Sequence, residues 1–256
     1  QRLAAPHDLG DQKRLYVTTS AGLALFGVDT GVPSPTALLQ HAELALYRAK
    51  DEGGNAVLFF DAPMQAAVDA RAALETGLRE AIEHRAFQLF YQVQVGLGGD
   101  VVGAEALIRW IAADGKTISP ADFIPLAEKT GLIVPMGQWV LDTACDQLAR
   151  WQQRPETHHL TVAINVSARQ FHQADFVAQV AAALQRTGID PGGLKLELTE
   201  SVILGDIETT IERMQQLRAL GLHFALDDFG TGYSSLSYLK RLPFDQLKID
   251  QAFVRD

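Results

Sequence analysis

The feature that most constrains the fold is an alternation of short apolar segments with longer amphipathic ones, which begins at Phe87. Six of the short segments have the β-branched, aromatic and aliphatic composition of strands: FQLFYQVQV, VVGAEALIRW, LTVAINV, LKLELTE, HFALDDF and QLKID. Helical stretches ending near Gln153, Thr187, Leu220 and Leu242 separate the later ones. The later segments recur about every 20 to 30 residues, the length of a βα unit. The sequence therefore predicts an α/β fold with a largely parallel sheet.

The positions of the polar residues in this pattern favour a barrel over an open sheet. Asn165, Glu197, Asp227 and Lys248 each lie at or near the carboxyl end of an apolar segment. Active sites of (β/α)₈ barrels are built at that rim. Because only six strand candidates lie between Phe87 and Asp250, we expect an incomplete TIM-like barrel.

The part of the chain before Phe87 has a different pattern. Its predicted elements are, in order, a strand (Tyr16–Phe26), a helix (Thr36–Lys50), a strand (Ala56–Phe60) and a mostly helical connector (Asp61–Arg85). This gives three parts: a β-α-β remnant of another domain (1–62), the connector with the start of the barrel domain (63–85), and the barrel domain without its last strands (86–256). The chain starts with Gln1 rather than Met and stops soon after a strand, so both ends are expected to be cut.

Composition limits the possible functions and location. The formal charge of −9 argues against a surface that grips a nucleic acid polymer through many phosphate contacts. The single cysteine, Cys145, excludes an internal disulfide framework and fits a reducing compartment. No apolar run approaches the roughly 18 residues needed for a transmembrane helix, and the N-terminus lacks the apolar core of a signal peptide. We expect a cytoplasmic protein in which any membrane attachment comes from upstream segments outside this chain.

Three positions in the predicted strands carry chemically informative side chains. Glu105 interrupts a buried strand, and a strand-end pair with Arg109 would explain it equally well. Asn165, taken alone, is better explained as an N-cap of the next helix. Lys248 lies in an apolar strand, where an ammonium needs a carboxylate or phosphate partner. Asp250, two residues on, faces the same side and is one candidate partner.

Two acidic pairs follow other strands. Glu197 continues an alternation that would bury it, where an unpaired carboxylate is costly, whereas Glu200 resembles an ordinary helix-start acid. Asp227 and Asp228 end an apolar segment and open the glycine-rich FGTGYSS loop, and turn chemistry alone would account for them.

The joint occurrence of these residues is improbable for purely structural reasons, since five successive strand ends deliver oxygen ligands or a cation to one rim. The ligand set is all oxygen, so Mg²⁺ or Mn²⁺ is expected rather than zinc. Four carboxylates (Glu105, Glu197, Asp227 and Asp228) would repel one another without cations. Two ions bridged by one aspartate are the arrangement used for phosphodiester hydrolysis.

Six motifs match a known family in order and spacing over about Leu74 to Asp256. They are EAL with IRW (Glu105–Trp110), FIPLAEKTGLI (Phe123–Ile133), INVS (Ile164–Ser167), ELTES (Glu197–Ser201), DDFGTGYSSL (Asp227–Leu236) and LKID (Leu247–Asp250). The segment resembles the EAL-domain cyclic-di-GMP phosphodiesterases. Upstream, VTTSAGLALF and AELALYRAKDEGGNAVLFF resemble the last third of a GGDEF, diguanylate cyclase-type domain, whose signature the chain lacks.

The resemblance implies hydrolysis of cyclic di-GMP to linear pGpG by a two-metal mechanism, on a (β/α)₈-like barrel with an antiparallel first strand. By position, Glu105, Asn165, Glu197 and Asp227 resemble the ligands of one ion, and Asp227 with Asp228 those of the second. Lys248 resembles the lysine that holds the attacking water. Glu200 resembles the glutamate that fixes the glycine-rich loop.

The remaining expectations concern the ligand and the departures from the family. Leu107 and Arg109 resemble contacts to the ligand's base and phosphate, and Asp250 is grouped with these substrate contacts. Val93 replaces a proline that the family usually has. The family continues with two strands that supply a glutamate to the second metal and a glutamine to the water. The alternative is a regulatory module that binds cyclic di-GMP without cleaving it, and the upstream segments are expected to pair two subunits into a homodimer.

Overall fold

The computed structural model describes residues 7–8, 14–26, 34–112, 114–204, 206–230, 241–250 and 253. The chain forms two compact units, Gln1–Leu74 and Glu75–Asp256. The division into residues 1–62, 63–85 and 86–256 stays a prediction. In the described part of the chain, no helix combines the length and the apolar character that crossing a membrane requires.

The first unit contains the predicted β-α-β arrangement. A short antiparallel pair, β1 (His7–Asp8) with β2 (Arg14–Leu15), precedes β3 (Ala21–Leu23), α1 (Pro35–Asp51) and β4 (Val57–Phe59). β3 and β4 pair in parallel. The Ser34 side chain starts α1 by accepting a hydrogen bond from the Ala37 backbone N–H at 3.1 Å. The predicted connector is the helix α2 (Ala62–Glu83), which begins in this unit.

The predicted strand Tyr16–Phe26 is wrong in its extent, because only its centre is a strand. The described residues on either side of β3 have strand propensity but no partner, since β4 offers three pairing positions, from Val57 to Phe59. A strand exists only where a neighbour completes its hydrogen bonds, so propensity alone overestimates its length.

The second unit is a sheet flanked by helices. Its elements after α2 are β5 (Phe87–Val95), β6 (Val101–Ile111), β7 (Thr117–Ile118), α3 (Pro120–Thr130), α4 (Ile133–Gln152), β8 (Thr161–Val166), α5 (Ala168–Phe171), α6 (Phe176–Thr187), β9 (Leu194–Thr199), α7 (Ile207–Ala219), β10 (His223–Phe229) and β11 (Gln246–Ile249), with 3₁₀ turns at Pro191–Gly193 and Glu200–Leu204. The predicted helix that ends near Leu242 falls on residues 231–240, which lie outside the described residues.

The strand order is β11-β10-β9-β8-β6-β5, and the two-residue β7 pairs with β6 outside this path. β5 runs antiparallel to β6, and all later neighbours from β6 to β11 are parallel. Within the described part, β5 and β11 are the two edges, so the barrel is incomplete. The predicted α/β fold, its six strands and its antiparallel first strand are confirmed.

The core lies between the sheet and its helices. In β9, Leu194, Leu196 and Leu198 are fully buried in this core. The residues between them point to the opposite face of the sheet, because successive side chains of a strand alternate. The same alternation in β6, β8, β10 and β11 places Glu105, Asn165, Asp227 and Lys248 on that opposite face.

The core predicts a large difference between two leucine truncations. Leu196→Ala removes a fully buried side chain and should lower the free energy of unfolding by about 2–5 kcal/mol. Leu97→Ala, at a fully exposed turn position, should change it by less than about 0.5 kcal/mol. Urea denaturation of both variants checks this, and equal losses would contradict the assignment of the core.

Candidate active site

Parallel pairing brings the carboxyl ends of several strands to one rim. In the register, Asn165 of β8 is opposite Glu197 of β9, and Glu197 is opposite Ala225 of β10. Asp227, two residues after Ala225, therefore points to the same face of the sheet as Glu197, closer to the carboxyl end of β10. Glu105 in β6 and Lys248 in β11 complete the set from the flanking strands. Five strands that are distant in sequence thus deliver one polar side chain each to the same place.

The Lys248 ammonium lies at the centre of this cluster. Its Nζ is 2.7 Å from Glu197 Oε2, 3.0 Å from Glu105 Oε2 and 3.0 Å from Asp227 Oδ2. Although burial opposes the charge, hydrogen bonds to the carboxylates, Glu197 first, raise the pKa of Lys248 above its usual range. The lysine is therefore protonated throughout the physiological range. The need for a carboxylate partner is thus met by Glu105, Glu197 and Asp227, whereas Asp250, the candidate partner from the sequence, lies beside Asp228.

Glu197 is the most deeply buried acid of the cluster, with a relative exposure of 1%. Burial is the main cause that raises the pKa of Glu197 to about 6; Lys248 lowers it, and Glu105 and Asp227 raise it further. Its Oε1 is buried and accepts no hydrogen bond within the described residues. One ammonium for three carboxylates also leaves an excess of negative charge.

These features fit a divalent cation. Glu105, Glu197 and Asp227 each offer a carboxylate oxygen, and the three oxygens lie within 4.8 Å of one another. An additional cation would compensate the excess charge and give the buried Glu197 oxygen a partner. Hard ions prefer such all-oxygen ligands. The acidic cluster can hold a metal ion.

Asn165 and Glu105 are joined by a hydrogen bond, which Asn165 Nδ2 donates to Glu105 Oε1 at 2.7 Å. The alternative explanation of Asn165 as an N-cap is wrong, because Ser167 starts α5 and its Oγ accepts from the Gln170 backbone N–H at 3.2 Å. The alternative of a Glu105–Arg109 pair is also wrong. Glu105 is held by Lys248 and Asn165, whereas Arg109 Nη1 donates to the Ile108 carbonyl at 2.9 Å.

Asp228 has a left-handed backbone, with φ of 54°. Its backbone N–H donates to Asp227 Oδ1 at 3.1 Å, so the two neighbouring acids are held in a fixed relation. Burial, followed by the charges of Asp227 and Asp250, raises the pKa of Asp228 above its usual range. Asp250 therefore belongs to the acidic rim beside Asp228. Most of the glycine-rich loop that follows, from Thr231, lies outside the described residues.

Glu200 is buried, with 8% exposure, and is therefore unlike an exposed helix-start acid. Its Oε1 accepts a hydrogen bond from the Gly230 backbone N–H at 3.0 Å. Gly230 is the last described residue before the loop, so Glu200 anchors the point where the loop leaves β10. Its Oε2 is buried and unpartnered among the described residues.

A cavity of about 260 Å³ opens next to the cluster, with Asn165 and Glu197 in its wall. Leu107 and Arg109, the predicted substrate contacts, line it together with residues of α3 and α4. The Arg109 guanidinium carbon lies 5.7 Å from the centre of the Phe90 ring. The cluster and these two residues therefore border one continuous site.

Sequence reasoning missed two features of this unit. Gln170 and Gly137 contribute to the cavity wall, and no spacing pattern singles them out. Lys195 lies two residues before Glu197 on the same face of β9, and its Nζ donates to Gln246 Oε1 at 2.7 Å. The signal that could have found Lys195 is the alternation of β9, which places it on the same face of the sheet as Glu197.

The comparisons with known proteins agree with this geometry. The model of the EAL domain family matches residues 75–256. The bifunctional diguanylate cyclase/cyclic di-GMP phosphodiesterase MucR of Pseudomonas aeruginosa is 40% identical over 257 residues, which cover 100% of this chain and 37% of MucR. The cyclic di-GMP phosphodiesterase PdeR of Escherichia coli is 39% identical over 255 residues, covering 100% of this chain and 38% of PdeR. The chain thus spans less than half the length of these relatives.

Solved structures are similar as well. A structure described as PaMucR phosphodiesterase in a c-di-GMP complex has a TM-score of 0.67 and 46% identity, over 71% of this chain and 74% of that chain. The EAL enzyme Bd1971 in its cAMP and cyclic-di-GMP bound form has a TM-score of 0.70 and 32% identity, over 86% of this chain and 57% of that chain.

The cluster predicts that Lys248 contributes stability when no metal ion is present. In EDTA, Lys248→Met should lower the free energy of unfolding by about 3 kcal/mol, since three carboxylates lose their shared cation. Mn²⁺ should then raise the melting temperature of the variant more than that of the wild type.

Lys116→Met provides the matched control, because Lys116 forms an exposed pair with Asp114 at 2.9 Å. That substitution should cost less than about 1 kcal/mol. Thermal unfolding with and without Mn²⁺ measures both variants. Equal losses for Lys248→Met and Lys116→Met would show that the buried cluster does not depend on its ammonium.

Proposed function

The chain belongs to the EAL domain family, and from this membership we propose that the protein hydrolyses cyclic di-GMP to linear pGpG in bacterial second-messenger signalling. The observation that carries the proposal is the convergence of Glu105, Glu197 and Asp227 around Lys248 beside a cavity. An acidic cluster that can hold divalent cations suits the cleavage of a phosphodiester, whose own charge must be neutralised. The alignments with MucR and PdeR, the relatives named for this activity, each cover 100% of this chain.

We assign the metal ligands by position in the cluster. Glu105, Asn165, Glu197 and Asp227 would hold one ion, and Asp227 with Asp228 would hold a second. Mg²⁺ or Mn²⁺ is the expected metal, since all donors are oxygens. When bound, such ions withdraw charge from the phosphodiester and lower the pKa of water.

Lys248 has a separate role in this proposal. A lysine with its ordinary pKa is already protonated at neutral pH, so we assign Lys248, which lies 2.7–3.0 Å from three carboxylates, as a hydrogen-bond donor rather than a base. It would instead donate hydrogen bonds to the attacking water and to the phosphoryl oxygen on which negative charge develops. The three carboxylates fix the ammonium before substrate arrives, so little reorganisation is needed during the reaction.

The substrate contacts would come from the cavity and the adjoining rim. Arg109 carries a permanent charge suited to the phosphate, and Leu107 offers an apolar surface to a base. Asp250, beside Asp228, would contribute a polar substrate contact at the rim. Glu200 would act on the reaction through the loop, because it anchors Gly230 rather than facing the acidic cluster.

We also propose a cytoplasmic homodimer. The single cysteine suits a reducing compartment. Exposed apolar side chains on α2, among them Val68 with 42% exposure and the alanines beside it, offer a surface for a second copy.

The activity is tested by incubating the full-length protein with cyclic di-GMP and Mg²⁺ or Mn²⁺ and separating the products by chromatography. We expect pGpG as the product. Glu105→Gln should lower kcat more than about 100-fold because it removes a metal ligand, whereas the loss of an outer-shell partner usually costs about 10–100-fold. Glu212→Gln changes an exposed glutamate of α7 and serves as the control. Binding of cyclic di-GMP without pGpG would support the regulatory module instead.

The dimer is tested separately by light scattering coupled to size exclusion. We expect twice the subunit mass, reduced to the subunit mass by Val68→Glu, because a charge would be placed in the apolar contact. Val95→Glu, at an exposed apolar position in β5, is the control and should leave the mass unchanged. A monomeric wild type at micromolar concentration would contradict the proposal.

A further inference from the structure

Gln170 is a buried polar residue that the catalytic proposal leaves unexplained. It follows β8 within α5, has 2% exposure and lines the cavity together with Leu107 and Arg109. Its backbone N–H is fixed by Ser167, but its side-chain amide makes no hydrogen bond within the described part of the chain. The amide therefore lies in the cavity wall, where its donors and its acceptor can hydrogen-bond a ligand.

Gly137 of α4 accommodates the amide. A Cβ atom at this position would overlap Gln170 Oε1, and it would lie 2.5 Å from Cδ and 2.8 Å from Nε2. The amide therefore packs directly against the helix backbone, and any side chain at position 137 would displace it. Glycine inside a helix is less stable than alanine, so its presence here calls for a packing or functional reason.

The cavity has the size and lining expected for one base of a nucleotide. Its volume of about 260 Å³ is below the roughly 300–1,000 Å³ of pockets that hold a whole small ligand. Apolar side chains of α3 and α4, including Ile124, Ile133 and Met136, form much of its wall. An amide offers two donors and an acceptor, which complement the edge of a purine.

We propose that Gln170 recognises one base of the dinucleotide by hydrogen bonding to its edge, and that Gly137 keeps the amide in position. The inference rests on the proposed hydrolysis and adds a specificity-determining residue to it. The apolar wall would pack against the faces of the base, while Arg109 and the acidic cluster border the same cavity where the phosphodiester would lie. The base contact would then orient the scissile bond.

Gln170→Leu tests the contact, since it keeps a similar volume but removes the donors and the acceptor. We expect the ratio of kcat/KM for cyclic di-GMP to kcat/KM for bis(p-nitrophenyl) phosphate, which has no base, to fall about 10-fold, the loss expected for one good base contact. The fall should come mainly from KM for cyclic di-GMP. An equal loss for both substrates would overturn the proposal and indicate a structural role.

Gln173→Leu is the matched control. This glutamine lies three residues further on and donates to the Arg169 carbonyl at 3.1 Å, outside the cavity lining. Its ratio of the two kcat/KM values should equal that of the wild type. A fall as large as that of Gln170→Leu would show that the segment, rather than the amide, determines selectivity.

Gly137→Ala tests the second half of the proposal. The added methyl should displace the amide and lower the same ratio about as much as Gln170→Ala does. In the Gln170→Ala background, Gly137→Ala should cause no further fall, because the displaced group is already absent. Additive effects of the two substitutions would mean that Gly137 acts independently of Gln170.

Calorimetric titration with cyclic di-GMP separates this inference from the proposed function. If the wild type binds without cleaving, the proposed hydrolysis fails, and a Kd raised about 10-fold by Gln170→Leu still supports the base contact. If the wild type cleaves and Gln170→Leu has an unchanged Kd, only the base contact is refuted. If the wild type neither binds nor cleaves, both are refuted.

Discussion

The hydrogen bonds from Lys248 to three carboxylates are the interaction on which the rest of the site depends. Glu105, Glu197 and Asp227 come from three different strands, and the ammonium of a fourth strand lies 2.7–3.0 Å from each of them. Glu197, whose side chain is fully buried, could not carry its charge there without such a partner. The cluster therefore holds four strands together through one ammonium. A divalent cation bound by the same carboxylates would reduce the excess negative charge of the site.

The strand alternation makes this cluster possible without disrupting the core. Leu194, Leu196 and Leu198 pack against the helices, while Glu197 lies between the last two and faces the other way. A shift of one residue in β9 would exchange these faces, burying the carboxylate among leucines. The apolar core therefore fixes the register, and the register places Glu197 opposite Asn165.

The sequence predicted the strands and the polar rim because both depend on local periodicity. The βα alternation located all six strands, and the strand-end rule located Asn165, Glu197, Asp227 and Lys248. Glu105 stood out because it interrupts an apolar strand. Features that depend on contacts between distant segments were not accessible. One such feature is the cation beside Glu105, which is Lys248 rather than Arg109 because of the directions of their side chains. Another is the packing of Gln170 of α5 against Gly137 of α4, two residues 33 positions apart in the sequence.

The two ends of the sheet differ in how their polar groups are satisfied. Near the start of β10, Asp245 Oδ2 accepts from the Phe224 backbone N–H at 2.8 Å, and Oδ1 accepts from Arg218 at 3.0 Å. At the rim, by contrast, the buried Glu197 Oε1 and Glu200 Oε2 have no partner among the described residues. Selection for stability alone would favour the first arrangement at both ends. The unsatisfied Glu197 oxygen is therefore best explained by a cation that the rim binds.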